Sequence, residues 1–488
     1  LIGTFEMSFV TLFISKQQKM KRSSLLIALF ILQFHTYIAA QSAPAGPVDL
    51  AWIDRTMERY MTENDIPALV AGIVRNGQVE AFISKGVLKR GSEEKVSEHA
   101  LFQIASLSKS FTGLLTNHLV AEGKLDVNAP ITTYLPQEVT EPARQRLASL
   151  TLRDILHHRA GLPRNAPSIQ PTPNGRPLTR AYTEAELIRD LNNLKLDPEN
   201  GSNFSYSNFG FGLAGYILER ASGQSYEALL QNYIAQKLGM PNTTATPNAQ
   251  QQARLASPYL PHKHQKETQA WVFGKMTPAG GLFSTVSDLC RLMILQMEAQ
   301  RQSESTGAAC PLVLNHDKAA MGVSGHSFYG YGVMETRNAV DTTITHLGHG
   351  GDVDGFVSNY SFAPRQGAGL VMLSSSGGTW FWELERIVNM KLLGLPVREA
   401  IALDKKILKR YVGKYDFGEI VLTISREGDQ LWTQTPGYPK QKLYPEAENK
   451  FFYHAFDGQI EFVLGEDKEI EKVIYTQDGR TSYPRRVR

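Results

Sequence analysis

Apolar positions along the chain change their spacing three times. Between residues 48 and 64, Leu50, Ile53, Met57 and Tyr60 recur at helical intervals and predict an amphipathic helix. Residues 69–75 and 78–83 are apolar, β-rich runs. Asn76-Gly77 separates them, the dipeptide of a type I′ hairpin turn. Behind the lead-in Phe102-Gln-Ile-Ala-Ser, the residues Phe111, Leu114, Leu115, Leu119 and Val120 return to helical spacing, with Gly123 as the stop. Residues 125–198 read as short helices broken by loops, and 164–178 is rich in proline and asparagine. Helices are expected after Asn208, over 226–238, and from a cap at Ser287 to Met297. Strand character returns at 329–335, 343–347, 356–362 and 369–374, and 380–393 reads as a last helix. The order predicts an α/β (α+β) sandwich: an antiparallel sheet flanked by helices, with an all-helical lobe. Past Pro396 the texture becomes short alternating strands with Gly-containing turns, which predict a small all-β barrel.

Composition narrows this picture only a little. With 488 residues, 42% hydrophobic and 20% charged, the chain has room for two or three globular domains. A net charge of +3, with no dense Lys/Arg block interleaved with aromatics, gives nucleic-acid binding no support. The basic tail Pro484-Arg-Arg-Val-Arg488 reads as a solvated terminus. Residues 1–19 read as an upstream extension. Residues 20–40 have a basic start, an apolar core and Ala39-Ala40, the layout of a cleaved signal peptide. That core is shorter than a membrane-spanning helix, so the mature protein is expected to be secreted or periplasmic with no spanning segment. A linker over 41–47, a domain over 48–396, a linker over 397–408 and the barrel over 409–488 complete the expected organisation. Cys290 and Cys310 are either a pair or two free thiols; two cysteines cannot make a disulfide scaffold.

The candidate chemistry begins with Ser106 and Lys109, an S-x-x-K pair at a helix start. Side chains three apart share a helix face. A lysine kept neutral can therefore act as base for a serine that is a poor nucleophile by itself. A second S-x-x-K, Ser92 to Lys95, lies in a charged run and reads as a solvated turn. Tyr206-Ser-Asn208 offers a phenol able to shuttle a proton and an amide able to hold a substrate or the lysine; the plainer alternative is a packed tyrosine with an N-capping asparagine. His349-Gly-Gly351, followed by Asp352, reads as a glycine-flanked strand edge that a ligand can approach closely, or as a glycine-rich turn. His346, His349 and Asp352 mimic a metal motif, but on a strand the two histidines face opposite ways, and no metal or other cofactor is expected.

Together, Ser106-x-x-Lys109, Tyr206-x-Asn208 and His349-x-Gly351 resemble, in order, the motifs of the serine β-lactamase-like and penicillin-binding-protein superfamily, specifically its class C-like branch. Supporting stretches are His158-Arg-Ala-Gly-Leu-Pro163 and Gly280-Gly-Leu-Phe-Ser284. The last segment is similar to the lipocalin-like barrel often appended to that branch. The resemblance implies a serine hydrolase forming an acyl-serine intermediate on ester or amide substrates, D-amino-acid peptides or β-lactams among them. Ser106 would be the nucleophile, Lys109 and Tyr206 the acid–base pair, and Asn208, His349 and Gly351 substrate-positioning groups. The backbone N–H groups of Ser106 and Asp352 would form the oxyanion hole. Histidine in place of the branch's usual lysine at 349 implies weak or absent β-lactamase activity, with peptide, ester or amide substrates preferred, and Arg159-Ala160 departs from its Thr-Ser. The other class of reading is an idle protein that binds cell-wall peptides or a protein partner through the same cleft.

Overall fold

The computed structural model describes residues 48–169, 180–196, 203–261, 266–314, 322–324, 327–338, 340–477 and 479–487. The expected extension, signal peptide and first linker, and most of the 164–178 loop, lie outside the described residues.

The first helix, α1 (Leu50–Asn64), starts where the Asp49 side chain accepts a hydrogen bond from Trp52 N at 2.8 Å. The hairpin follows as β1 (Ala68–Arg75) and β2 (Gln78–Gly86). Asn76 and Gly77 both have positive φ, 51° and 75°, as a type I′ turn requires. The short strands β3 (Phe102–Gln103) and β4 (Phe283–Ser284) pair with each other, and β5 (Gly322–Ser324), β6 (Ser327–Tyr329), β7 (Met334–Arg337), β8 (Thr345–Val353), β9 (Phe356–Ala363) and β10 (Ala368–Ser374) join β1 and β2 in an antiparallel sheet. Its order is β2-β1-β10-β9-β8-β7-β6-β5.

Strand β1 is buried along its whole length because both sheet faces are covered. Leu69, Ala71 and Ile73 face one core, shared with Ile53, Met57 and Tyr60 of α1 and with Phe381, Leu384 and Val388. Ala68, Val70 and Val74, on alternate positions, face the core built with the helical lobe. Cys290, a free thiol, packs beneath Gly72, and Cys310 is also free.

At the centre of the lobe lies α2 (Ser108–Ala121). The expected amphipathic helix is instead buried on every side from Ser108 to Asn117, and Val120, assigned to its apolar stripe, is 39% exposed. Its polar side chains are spent on neighbouring backbone. Thr112 Oγ1 donates to Pro278 O at 2.8 Å, Asn117 Nδ2 to Val313 O at 3.0 Å, and Ser110 Oγ to Gly332 O at 2.5 Å. Helix α3 (Asn208–Ser222) lies against it.

Several boundaries moved for local reasons. Thr285, not Ser287, caps α4 (Val286–Thr306), accepting from Asp288 N at 3.2 Å. The 226–238 helix is α-helical over Tyr226–Leu230 and then opens into a π-helical stretch at Gln231–Gln236. The single strand expected over 329–335 is two, β6 and β7, joined through Gly332 at φ 75°. The last helix of this part, α5, spans Thr379–Leu392.

Nine further strands run from β11 (Gly413–Asp416) to β19 (Arg485–Val487), pairing with their chain neighbours. The basic tail is exposed, as expected of a solvated terminus, and is also a strand: β19 returns to pair with β11, and Arg486 Nη2 donates to Val412 O at 2.9 Å. The small all-β domain expected here is present, and because β18 (Arg480–Ser482) and β19 occupy opposite edges the sheet is a curled half-barrel. Tyr411, Tyr415, Phe451 and Phe462 fill it, joined by Leu408 from the short helix Lys405–Arg410.

Gly113 brings α2 against the β6–β7 turn. A Cβ there would lie 2.0 Å from the backbone oxygen of Tyr331. In an open helix Gly→Ala gains about 1 kcal/mol. Here the methyl meets backbone, and overpacking costs about 1–3 kcal/mol. Gly113→Ala is therefore expected to lower the urea midpoint; a midpoint at or above the wild-type value would show that the turn yields freely.

Candidate active site

The site forms where the 3-10 turn Ala105–Leu107 leads into α2. Ala105 sits at φ +48°, a left-handed conformation costly for a residue with a side chain. Its neighbours hold it there. Ile104 N donates to Leu282 O at 2.8 Å, Ser358 Oγ donates to Ile104 O at 2.7 Å, and Leu282 N donates to Ser108 Oγ at 3.0 Å. Strand β8 lies directly over the turn at Gly351, where a Cβ would come within 2.4 Å of Ile104 O and 2.9 Å of Ala105 Cβ. Glycine at 351 is thus what lets the strand reach Ser106.

Lys109 is fully buried, and its Nζ meets three oxygens: Ala279 O at 2.6 Å, Asn208 Oδ1 at 2.8 Å and Ser106 Oγ at 3.2 Å. Burial, followed by the nearby Arg164 charge, holds the amine well below its usual pKa. A neutral amine has two N–H bonds and one lone pair. Two of its neighbours, a carbonyl and an amide oxygen, can only accept. In the neutral form both hydrogens go to those acceptors and the lone pair is left toward Ser106 Oγ; in the charged form the third hydrogen is donated to Ser106 Oγ.

Asn208 can serve Lys109 because it is not the helix cap: Ser207 caps α3, its Oγ accepting from Gly210 N at 2.8 Å. The Asn208 Nδ2 donates to Asn165 Oδ1 at 2.9 Å, which leaves Oδ1 turned to the amine. Tyr206 shares a side-chain hydrogen bond with Ser106, and burial, opposed by that bond and by Arg164, pushes its phenol up to about 12. The Lys109 Nζ lies 4.8 Å from the Tyr206 ring centre, and Arg164 Cζ lies 5.2 Å from it on the exposed side.

His349 is hydrogen-bonded through Nε2 to Tyr329 Oη at 2.9 Å and through Nδ1 to Gly350 O at 2.5 Å. Burial and then Lys109 lower its pKa to about 3, so it is a neutral ring near pH 7. His346 points to the other face of the sheet and bonds Asn338 at 3.3 Å, so the two histidines do not converge. Asp352 lines a cleft of about 650 Å³ with Ser106, Arg164, Asn208 and the stacked pair Trp271 and Phe273.

The structure thus brings Ser106, Lys109, Tyr206 and Asn208 into one cluster, with His349, Gly351 and Asp352 on the strand beside it. Motif reasoning missed the scaffold under them. The ring of His158 lies 4.4 Å from Tyr206, 4.6 Å from Tyr329 and 5.0 Å from Phe211, and its Nδ1 accepts from Ser207 N at 3.0 Å. His158 is buried, and desolvation first, then Lys109, keeps it neutral. Its presence in His158-Arg-Ala-Gly-Leu-Pro163 was the available signal. Tyr329 and Arg164 carried none.

A family model described as beta-lactamase matches residues 53–391. The chain belongs to the beta-lactamase family. Among relatives of this beta-lactamase-family chain, the D-alanyl-D-alanine-carboxypeptidase/endopeptidase AmpH of Escherichia coli K12 is 26% identical over 381 residues, covering 76% of this chain and 96% of the relative. Penicillin-binding protein 4* of Bacillus subtilis is 24% identical over 428 residues, covering 81% and 90%. A beta-lactamase of Pseudomonas fluorescens is 24% identical over 351 residues, covering 66% and 92%. Among solved structures, the octameric penicillin-binding protein homologue from Pyrococcus abyssi shares the fold, with a TM-score of 0.63 and 22% identity over 90% of this chain and all of that one.

The lowered pKa of Lys109 has a consequence for stability. In the unfolded chain a lysine titrates near 10.4; in the folded one it stays neutral to lower pH. Between the two values the unfolded state holds the extra proton, so this group makes stability rise with pH. Urea unfolding of wild type and Lys109→Met from pH 7 to 10 is expected to show wild type gaining stability relative to the variant as pH rises. Parallel profiles would mean that the amine is charged in the fold.

Proposed function

We propose that this protein is a serine hydrolase that acts through a covalent acyl-serine intermediate on ester or amide substrates, with D-amino-acid peptides and β-lactams within that class. The observation that carries the proposal is the buried amine of Lys109, whose Nζ lies 2.6 Å from Ala279 O, 2.8 Å from Asn208 Oδ1 and 3.2 Å from Ser106 Oγ. Ser106 Oγ attacks the substrate carbonyl carbon as its proton passes to the Lys109–Tyr206 pair. The backbone N–H groups of Ser106 and Asp352 receive the developing oxyanion. The same proton then reaches the departing amine or alcohol through the Tyr206 phenol, which its raised pKa keeps protonated. Water attacks the acyl-serine by the reverse relay and releases the carboxylic acid. Asn208, His349 and Gly351 position the substrate, and no cofactor takes part. Relatives named as a carboxypeptidase/endopeptidase, a penicillin-binding protein and a beta-lactamase support this reaction class. The 20–40 segment supports secretion or a periplasmic location.

His349 decides among substrates. A neutral ring whose two nitrogens are already engaged by Tyr329 Oη and Gly350 O gives a substrate carboxylate little of what a lysine ammonium gives. Neutral esters and peptides are therefore preferred to cephalosporins.

A fluorescent fluorophosphonate is expected to label the wild type and to leave Ser106→Ala unlabelled. Lys109→Ala and Tyr206→Phe should each slow acylation by about 10²–10⁴-fold with the melting temperature little changed. Near-normal labelling of Lys109→Ala would remove the amine from the mechanism, and efficient cephalosporin turnover by the wild type would overturn the substrate preference.

A further inference from the structure

A second cavity, of about 360 Å³, lies away from Ser106 where α1, α5, the connecting segment and the half-barrel meet. Its walls are Trp52 and Tyr60 from α1 and Tyr444 and His454 from the half-barrel; its rim carries Arg55, Arg59 and Arg398. Such a volume suits a small organic molecule.

The charges around it do not cancel. Arg55 and Arg59 stand one turn apart on the same face of α1, an arrangement that is repulsive unless an anion lies between them. Neither has an acidic partner among the described residues. The acids of the same helix are taken up elsewhere: Asp54 and Glu58 by Lys85 at 2.8 and 3.2 Å, and Glu63, at the cavity edge, by Lys442 at 3.4 Å. Arg398 lies 3.9 Å from Asp457, and Glu399 is an exposed acid on the rim.

Beneath the cavity the buried carboxyl of Glu383 accepts a hydrogen bond from Tyr444 Oη at 2.7 Å and is also hydrogen-bonded to Tyr60. That network fixes the two tyrosine rings as rigid walls. Burial, then Arg386, Arg59 and Lys442, keep His454 neutral, so the floor adds no cation and presents an apolar ring. The cavity therefore combines a fixed aromatic box with two uncompensated guanidinium groups at its mouth. Guanidinium pairs recognise carboxylates through paired N–H donors, and the box accepts a flat apolar body.

We propose that this cavity is a second binding site, distinct from the Ser106 cleft, for a small carboxylate with an aromatic or aliphatic body held by Arg55 and Arg59.

The test is calorimetric titration of the full chain carrying Ser106→Ala with 4-phenylbutyrate, and with 4-phenylbutanamide as the uncharged control. Saturable binding of the acid is expected, weakened about tenfold or more by Arg55→Ala/Arg59→Ala, unchanged by Arg164→Ala in the other cleft, and absent for the amide. Both arginines are exposed on α1, so the double variant should melt as the parent does. Equal binding of acid and amide would overturn the proposal. So would wild-type affinity in the double variant, loss of binding with Arg164→Ala, or no binding at all.

Discussion

Everything at the reactive centre depends on keeping one lysine amine out of water with no acid beside it. A buried ammonium would need a carboxylate partner to be tolerated. Lys109 has instead a main-chain carbonyl, an amide oxygen and a hydroxyl, and the like charge of Arg164 acts on it. Those neighbours favour the neutral form, and neutrality is what makes the amine a base. The part of α2 that carries it, Ser108 to Asn117, is buried on every side, which keeps water from the amine.

The aromatic groups around Lys109 extend this logic. Tyr206, Tyr329, His158 and His349 form a packed aromatic cluster, tied by the hydrogen bond between Tyr329 Oη and His349 Nε2. The two histidines stay uncharged because burial disfavours protonation. Glycines then allow the backbone to close in: Gly351 over the Ser106 turn and Gly332 under Lys109, where a Cβ would come 2.2 Å from the Lys109 oxygen.

How far the sequence could be read depended on how local each signal was. Asn76-Gly77 specified a turn from two residues alone, because positive φ at both positions admits few other pairs. The S-x-x-K pair was legible because three residues of helical geometry bring the two side chains together. By contrast, α2 looked amphipathic because Ser110, Thr112, Thr116 and Asn117 are polar. Their partners lie on segments more than 160 residues away in several cases, which no local pattern reports. The pairing of the exposed tail at Arg485–Val487 was hidden for the same reason: its strand forms against β11, some seventy residues earlier.

The chain alone determined the kinds of element, the antiparallel α+β plan and the types of residue able to do acyl-transfer chemistry, because periodicity, turn chemistry and motif spacing are properties of neighbouring residues. It could not determine that His158 and Tyr329 would wall the site, that Ser207 would free Asn208 from capping, or that a second set of arginines would be left without acids at the half-barrel junction. Those outcomes arise where distant segments bury one another, since charge state and hydrogen-bond partnership follow from what excludes water, and only the folded arrangement decides that.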